Sequence, residues 1–325
     1  MLMSVLLFAV GLVLLIKGGD WFVDGATGIA KRFNLPDIVV GATVVSIGTT
    51  LPEVMVSTTG ALAGSGAMAY GNAIGSIICN TALIAAISIV CNPGPVNTKS
   101  MKTPAIFFFV SAGLYCVASY FLGTFPRWMG FVMLTIFVIY MVTTVRNGMK
   151  NPDASAEEDE EEGGKPRTLV QELLLLVVGA AVIAVGADLL VEHGQIIAIG
   201  LGVPETVVAL LFVALGTSLP ELVTTITSLR SGHASLGVGN VIGANVFNLV
   251  LVSGVAVSLA PFDVPCENTL LNTGLNMSLV FEIPVMLGVM SLMIFPTLAS
   301  KKLARWQGVL LLGIYVAFCI CQFVL

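Results

Sequence analysis

Apolar residues run along this chain in blocks of the length that carries a helix across a bilayer core, about 20 residues. Ten such blocks predict transmembrane helices near residues 2–19, 37–61, 68–91, 103–122, 127–146, 169–191, 205–229, 234–260, 278–298 and 303–324. Short polar loops separate them, apart from one hydrophilic stretch at 147–168 that holds the acidic run DASAEEDEEE at 153–162. That run reads as a disordered linker, too charged to bury a core. The first block has no basic residue ahead of it and no small-residue cleavage site after it, so it reads as a structural helix and not a cleaved signal peptide.

The polar interruptions repeat. GTTLPE at 48–53 recurs as GTSLPE at 216–221, an offset of 168 residues. At the same offset Gly71-Asn72 meets Gly239-Asn240, Ile74-Gly75 meets Ile242-Gly243, and Asn80 meets Asn248. Further back, Gly18 meets Gly186, Asp20 meets Asp188, Asp24 meets Glu192, Pro36 meets Pro204 and Asp37 meets Glu205. The chain is therefore read as a duplication: a five-helix repeat over 1–146, an acidic cytoplasmic linker over 147–168, and a second five-helix repeat over 169–325. Five spans per half invert the second half relative to the first. Lys31, Arg32, Lys99, Lys102, Arg146, Lys150, Lys165, Arg167, Arg230, Lys301, Lys302 and Arg305 gather on one side, against Arg127 alone on the other. Basic residues collect on the cytoplasmic side, which puts both termini outside the cytoplasm.

Pro52 and Glu53 lie inside an apolar span, as do Pro220 and Glu221. Within an unbroken helix the proline costs about 3 kcal/mol. Thr50-Leu51-Pro52-Glu53 instead reads as a helix N-terminus with a threonine cap, and Ser218-Leu219-Pro220-Glu221 repeats it. Each span is thus expected as two half-helices broken near the midplane, where a break is tolerated only against protein or a water-filled cavity. A plain capping box would explain each glutamate in a soluble protein, but a carboxylate in a bilayer marks a functional site. Two convergent glutamates, the hydroxyls of Thr49 and Thr217, and freed carbonyls make an all-oxygen cage suited to a hard cation such as calcium. Asn80 and Asn248, each 27 residues after its glutamate, fall at the same depth and are candidate ligands. Asn72, Asn240 and Asn245 read as interhelical hydrogen-bonding residues, with Gly71, Gly75, Gly239 and Gly243 permitting close packing.

With GTTLPEVMVS through GNAIGSIICN and GTSLPELVTT through GNVIGANVFN, the chain resembles the sodium/calcium exchangers of the calcium/cation antiporter superfamily, as a short prokaryotic-type member. The resemblance covers essentially the whole chain. It implies an all-α polytopic protein of ten transmembrane helices, arranged as two inverted repeats, that exchanges calcium for sodium by alternating access at a shared carboxylate pair. Ser46, Thr49, Thr50, Glu53, Ser76 and Asn80 are the ligand positions implied in the first repeat, and Ala214, Thr217, Ser218, Glu221 and Asn248 in the second. Ser46 and Ala214 are implied to act through backbone carbonyls. Ile77 stands where the family usually has Asn, Ala244 where it often has Ser, and Asn248 where the potassium-dependent branch has Asp, which argues against potassium dependence. Calcium/proton exchange is the alternative, since two close carboxylates can also hold protons.

Composition adds little to this picture. The chain has 325 residues, is 57% hydrophobic and 10% charged, and carries a formal net charge of −5, with much of the acid in the linker. Six cysteines without a C-x-x-C pair read as free thiols, and His193 and His233 as solvated loop residues without a metal partner. No cofactor and no nucleic acid is expected; the partners are calcium, sodium and the lipid bilayer of a prokaryotic cytoplasmic membrane. An intramembrane hydrolase would need a nucleophile and base or an aspartate pair, and neither is found. A channel would gain nothing from inverted broken helices.

Overall fold

The computed structural model describes residues 2–150, 167–201, 216–265 and 275–324. The long helices are α1 (Leu2–Phe33), α2 (Asp37–Leu62), α3 (Gly66–Cys91), α4 (Thr98–Leu122), α5 (Arg127–Lys150), α6 (Leu169–Gly200), α8 (Ala234–Leu259), α9 (Ser278–Ser300) and α10 (Arg305–Val324). Between α6 and α8 the described residues include α7 (Leu219–Arg230). Nine helices among the described residues are long and apolar enough to cross a membrane, and the chain is a multi-pass integral membrane protein. Residues 202–215, which hold the first part of the expected seventh span at 205–229, and the linker run lie outside the described residues.

Two expected boundaries shift. The spans at 2–19 and 169–191 belong to helices of 32 residues each. Gly18-Gly19 and the acids after them look like a helix end, yet they continue α1 because it lies antiparallel along α6 in near backbone contact. A Cβ at Gly18 would sit 2.9 Å from the Ile183 nitrogen, and one at Gly25 2.6 Å from the Glu172 carbonyl. At the end of this pair the Arg32 guanidinium grips Glu172 with two bonds of 2.8 and 3.1 Å.

Pro52 does not break its span. α2 runs through a π-helical turn at Gly41–Val45 into an α-helix at Ser46–Leu62 with Pro52 inside it. The stretch of α2 before Pro52 packs closely on α8: a Cβ at Gly239 would lie 2.2 Å from the Ile38 carbonyl, and one at Gly243 2.4 Å from Ser46 Oγ. The second copy does start a helix, since α7 opens at Leu219 with Pro220 in its first turn.

Among the described residues, four two-residue strands tie distant helix ends together. β1 (Gly94–Pro95) pairs with β4 (Lys302–Leu303), and β2 (Thr124–Phe125) with β3 (Phe262–Asp263), both antiparallel. Val96 N–H donates to Lys301 O at 3.1 Å beside the first pair, and Val264 N–H to Gly123 O at 2.9 Å beside the second. The core between the helices is packed with Tyr70, Phe108, Tyr115, Phe125, Tyr140 and Phe247, all buried.

Candidate ion-binding site

α2, α3, α7 and α8 meet at the centre of the helix bundle, where the apolar spans carry their polar residues. Glu53 and Glu221 are both 0% exposed, as are Thr50, Asn80 and Asn248, with Thr49 and Ser218 at 1% and Ser76 at 3%. Glu53 stands within electrostatic reach of Glu221, and Glu221 faces the hydroxyls of Thr49 and Thr50. The structure therefore brings the two glutamates of the repeated motif together from opposite ends of the sequence.

Two asparagines hold the frame. Asn240 Oδ1 accepts from Thr49 Oγ1 at 3.1 Å and from Ser46 Oγ at 3.2 Å, joining α8 to α2. Asn72 Nδ2 donates to the Glu53 carbonyl at 3.3 Å and to Ser57 Oγ at 2.8 Å, while Asn72 Oδ1 accepts from Thr217 Oγ1 at 3.4 Å. Asn245 bonds Thr81 Oγ1 at 2.7 Å. These three are the interhelical hydrogen-bonding residues expected from the sequence. Thr49 and Thr217 each give their hydroxyl hydrogen to an asparagine, which leaves their oxygen lone pairs to face elsewhere.

The capping boxes are not made. Neither Thr50 nor Ser218 makes a hydrogen bond through its hydroxyl, and all four oxygens of Glu53 and Glu221 are buried with no hydrogen-bond partner. The side-chain amides of Asn80 and Asn248 are equally unpartnered. An unpartnered buried carboxylate costs several kcal/mol unless a cation compensates it. Oxygens that hydrogen bonds would otherwise occupy are thus free to coordinate a hard cation. Ser46 is buried, but its hydroxyl is spent on the Gly41 carbonyl at 2.8 Å and on Asn240, so any ligand role falls to its carbonyl. Ala214 lies outside the described residues.

Some neighbours were not anticipated from the sequence. The buried Cys79 thiol lies beside Ser218 and Glu221, and the Thr224 hydroxyl, one turn beyond Glu221, is buried without a partner. Their signal was present as small polar residues inside apolar spans. The histidines also differ from expectation. His233 Nδ1 lies 2.6 Å from Asp37 Oδ2, linking the starts of α8 and α2, and His193 is half-buried within α6. Asp24 pairs with Arg167 at 3.1 Å and Asp20 with Lys17 at 3.7 Å.

Comparison with known proteins identifies the family. The model of the sodium/calcium exchanger protein family matches residues 3–146 and 172–324. An uncharacterized membrane protein of Methanocaldococcus jannaschii is 33% identical over 312 residues, covering 95% of this chain and 94% of its own. The sodium/calcium exchanger MaX1 of Methanosarcina acetivorans is 31% identical over 352 residues, covering 98% of each. A solved structure of the sodium-calcium exchanger NCX_Mj, soaked with sodium and strontium, superposes with a TM-score of 0.79 at 31% identity and 97% coverage of both chains. The family is one of transporters and not of enzymes, and the match does not favour the calcium/proton alternative. With a family match across nearly the whole length and close structural similarity to a known exchanger, the chain belongs to the sodium/calcium exchanger protein family.

Proposed function

We propose that this exchanger binds calcium or sodium at one cage centred on Glu53 and Glu221, and presents that cage alternately to the two sides of the membrane. Thr49, Thr50, Ser76 and Asn80 complete it from the first half, and Thr217, Ser218 and Asn248 from the second, with the carbonyls of Ser46 and Ala214. One observation carries this reading: two facing carboxylates at 0% exposure accept no hydrogen bond from the protein. Their formal charge of about −2 is balanced by one calcium or by two sodium ions, so the two cargoes exclude one another by charge as well as by space. Mutual exclusion at a shared site is what couples opposite fluxes.

The organisation proposed with it is ten helices in two inverted halves, residues 1–146 and 169–325, joined by a cytoplasmic linker. The gapless motif repeat supports it, as do the strand pairs that recur between equivalent loops. Both termini then lie outside the cytoplasm of a prokaryotic cell. The test is calcium uptake into proteoliposomes with the sodium and proton gradients varied separately. Uptake should follow an outward sodium gradient; uptake that follows the proton gradient and ignores sodium refutes the reading.

A further inference from the structure

Three of the π-helical turns stand at ligand positions of the cage. In α2 the turn Gly41–Val45 runs directly into Ser46; in α3 the turn Asn80–Ala85 opens on Asn80, and in α8 the turn Asn248–Val252 opens on Asn248. A π-helical turn closes its hydrogen bonds over five residues instead of four, so its first carbonyl is reached from the fifth residue on. At two of the three turns that residue is a serine, and it donates twice. Ser46 gives its N–H and its hydroxyl to the Gly41 carbonyl, the hydroxyl at 2.8 Å. Ser253 gives both to the Asn248 carbonyl, the hydroxyl at 2.9 Å. The two serines are 0% and 1% exposed. Other described hydroxyls that turn back on their own helix, among them Thr43, Thr59, Thr135 and Thr297, reach a carbonyl three or four residues earlier. Among the described residues, the five-residue reach is found only beside the cage.

We infer that Ser253 is a positioning residue for the Asn248 ligand and sets the affinity of the cage through it, an inference that rests on the exchange reading above. A carbonyl oxygen has two lone pairs, and Ser253 claims both on Asn248. That carbonyl is therefore closed to an ion. The Asn248 side-chain amide, buried without a partner, stays open to one. The paired hydrogen bonds also pin the turn on which Asn248 stands, so less ordering of this ligand is left to be done when an ion arrives. Asn80 differs. The fifth residue of its turn is Ala85, the counterpart of Ser253 at the 168-residue offset, and it brings no hydroxyl. The two asparagines that the repeat makes equivalent are thus held unequally, and Ser253 makes the difference.

The test follows the thermal unfolding midpoint of the full-length protein in detergent as calcium is titrated in. Ser253→Ala removes the hydroxyl bond and keeps the backbone one. The half-saturating calcium concentration should rise about fivefold, the effect of one hydrogen bond on a binding equilibrium. Ser253→Thr, which keeps a hydroxyl, should bring it back toward the wild-type value. Ser258→Ala is the control, since Ser258 lies on the same helix with its hydroxyl buried and unpartnered. A serine with a merely structural role would lower the midpoint without moving the calcium dependence. An unchanged half-saturating concentration in Ser253→Ala overturns the inference. So does a rise that Ser253→Thr does not reduce, or an equal rise in Ser258→Ala. Failure of the exchange reading has a different signature, wild-type calcium stabilisation in Glu221→Gln, and the inference would fall with it.

Discussion

Gly239→Ala is a small substitution aimed at the geometry that holds the cage together. The added Cβ would lie 2.2 Å from the Ile38 carbonyl oxygen, 2.8 Å from its carbon and 2.9 Å from its Cα. All are backbone atoms, so no side chain can swing aside. An ordinary carbon–oxygen contact needs roughly 1 Å more, and α8 must move away from α2 by about that amount, at the cost of about 1–3 kcal/mol typical of overpacking. The neighbouring Asn240 moves with it. Its 3.1 Å bond from Thr49 and its 3.2 Å bond from Ser46 then stretch to about 4 Å, beyond hydrogen-bonding range. Thr49 loses the acceptor that orients it, and the α2 and α8 ligands lose their register. Calcium flux in proteoliposomes should fall at least about tenfold, since displacements of this size cost up to about a hundredfold in positioned chemistry. The unfolding midpoint in detergent should fall as well. Gly288→Ala is the control: Gly288 is exposed on α9 with no described atom within 4 Å of the new Cβ. It should be neutral or slightly stabilising through helix propensity. Wild-type flux and midpoint for Gly239→Ala would refute the claim that α2–α8 contact sets the cage.

Glu53→Gln and Glu221→Gln keep the side-chain shape and should each abolish calcium flux while the protein still inserts and unfolds cooperatively; substantial flux in either would remove that residue from the cage. Withdrawing calcium and sodium should lower the unfolding midpoint of the wild type, since ligand at a hundred times its dissociation constant contributes about 2.7 kcal/mol; an unchanged midpoint would argue that the carboxylates need no cation. Asn72→Ala frees the Thr217 hydroxyl and removes the bond to the Glu53 carbonyl, so it should raise the calcium concentration for half-maximal flux with little effect on insertion; flux kinetics identical to wild type would show that the frame is dispensable. Single cysteines placed at Ala154 and Asn268 should react with impermeant reagents from opposite sides, the first from the cytoplasm; labelling from one side alone would contradict the inverted arrangement.

The membrane class and the central residues could be read from the sequence because a bilayer makes polar residues conspicuous. Glu53, Glu221, Asn80 and Asn248 stand out in apolar spans, and the 168-residue offset alone is enough to pair them. What could not be read depends on contact between distant segments. Pro52 carries the local signature of a helix start, but packing of α2 on Gly239 and Gly243 accompanies a helix that continues through it, and local preference yields. Gly18-Gly19 carries the signature of a helix end, yet Gly18 is where α6 rests and Gly19 is where α7 does. His233 looks solvated until Asp37, 196 residues away, arrives beside it.

The two strand pairs and the two asparagine clasps have a common form. Thr49 gives its hydrogen to Asn240 and Thr217 gives its own to Asn72; β1 meets β4 as β3 meets β2. In each case a segment of one half touches the partner segment of the other, and the reciprocal contact is made again. This is the pattern of an isologous homodimer, in which residue i of one subunit meets j of its mate while j meets i. Under the two-repeat organisation proposed above, the chain is a dimer fused into one polypeptide, and neither half contains the whole of any such contact. A single mutation in a true homodimer would strike both copies at once, whereas here each copy is free to diverge alone. On the proposed two-repeat organisation, Gly94 in β1 set against Phe262 in β3, and Lys301 set against Gly123 in the turns beside them, are places where the two copies differ.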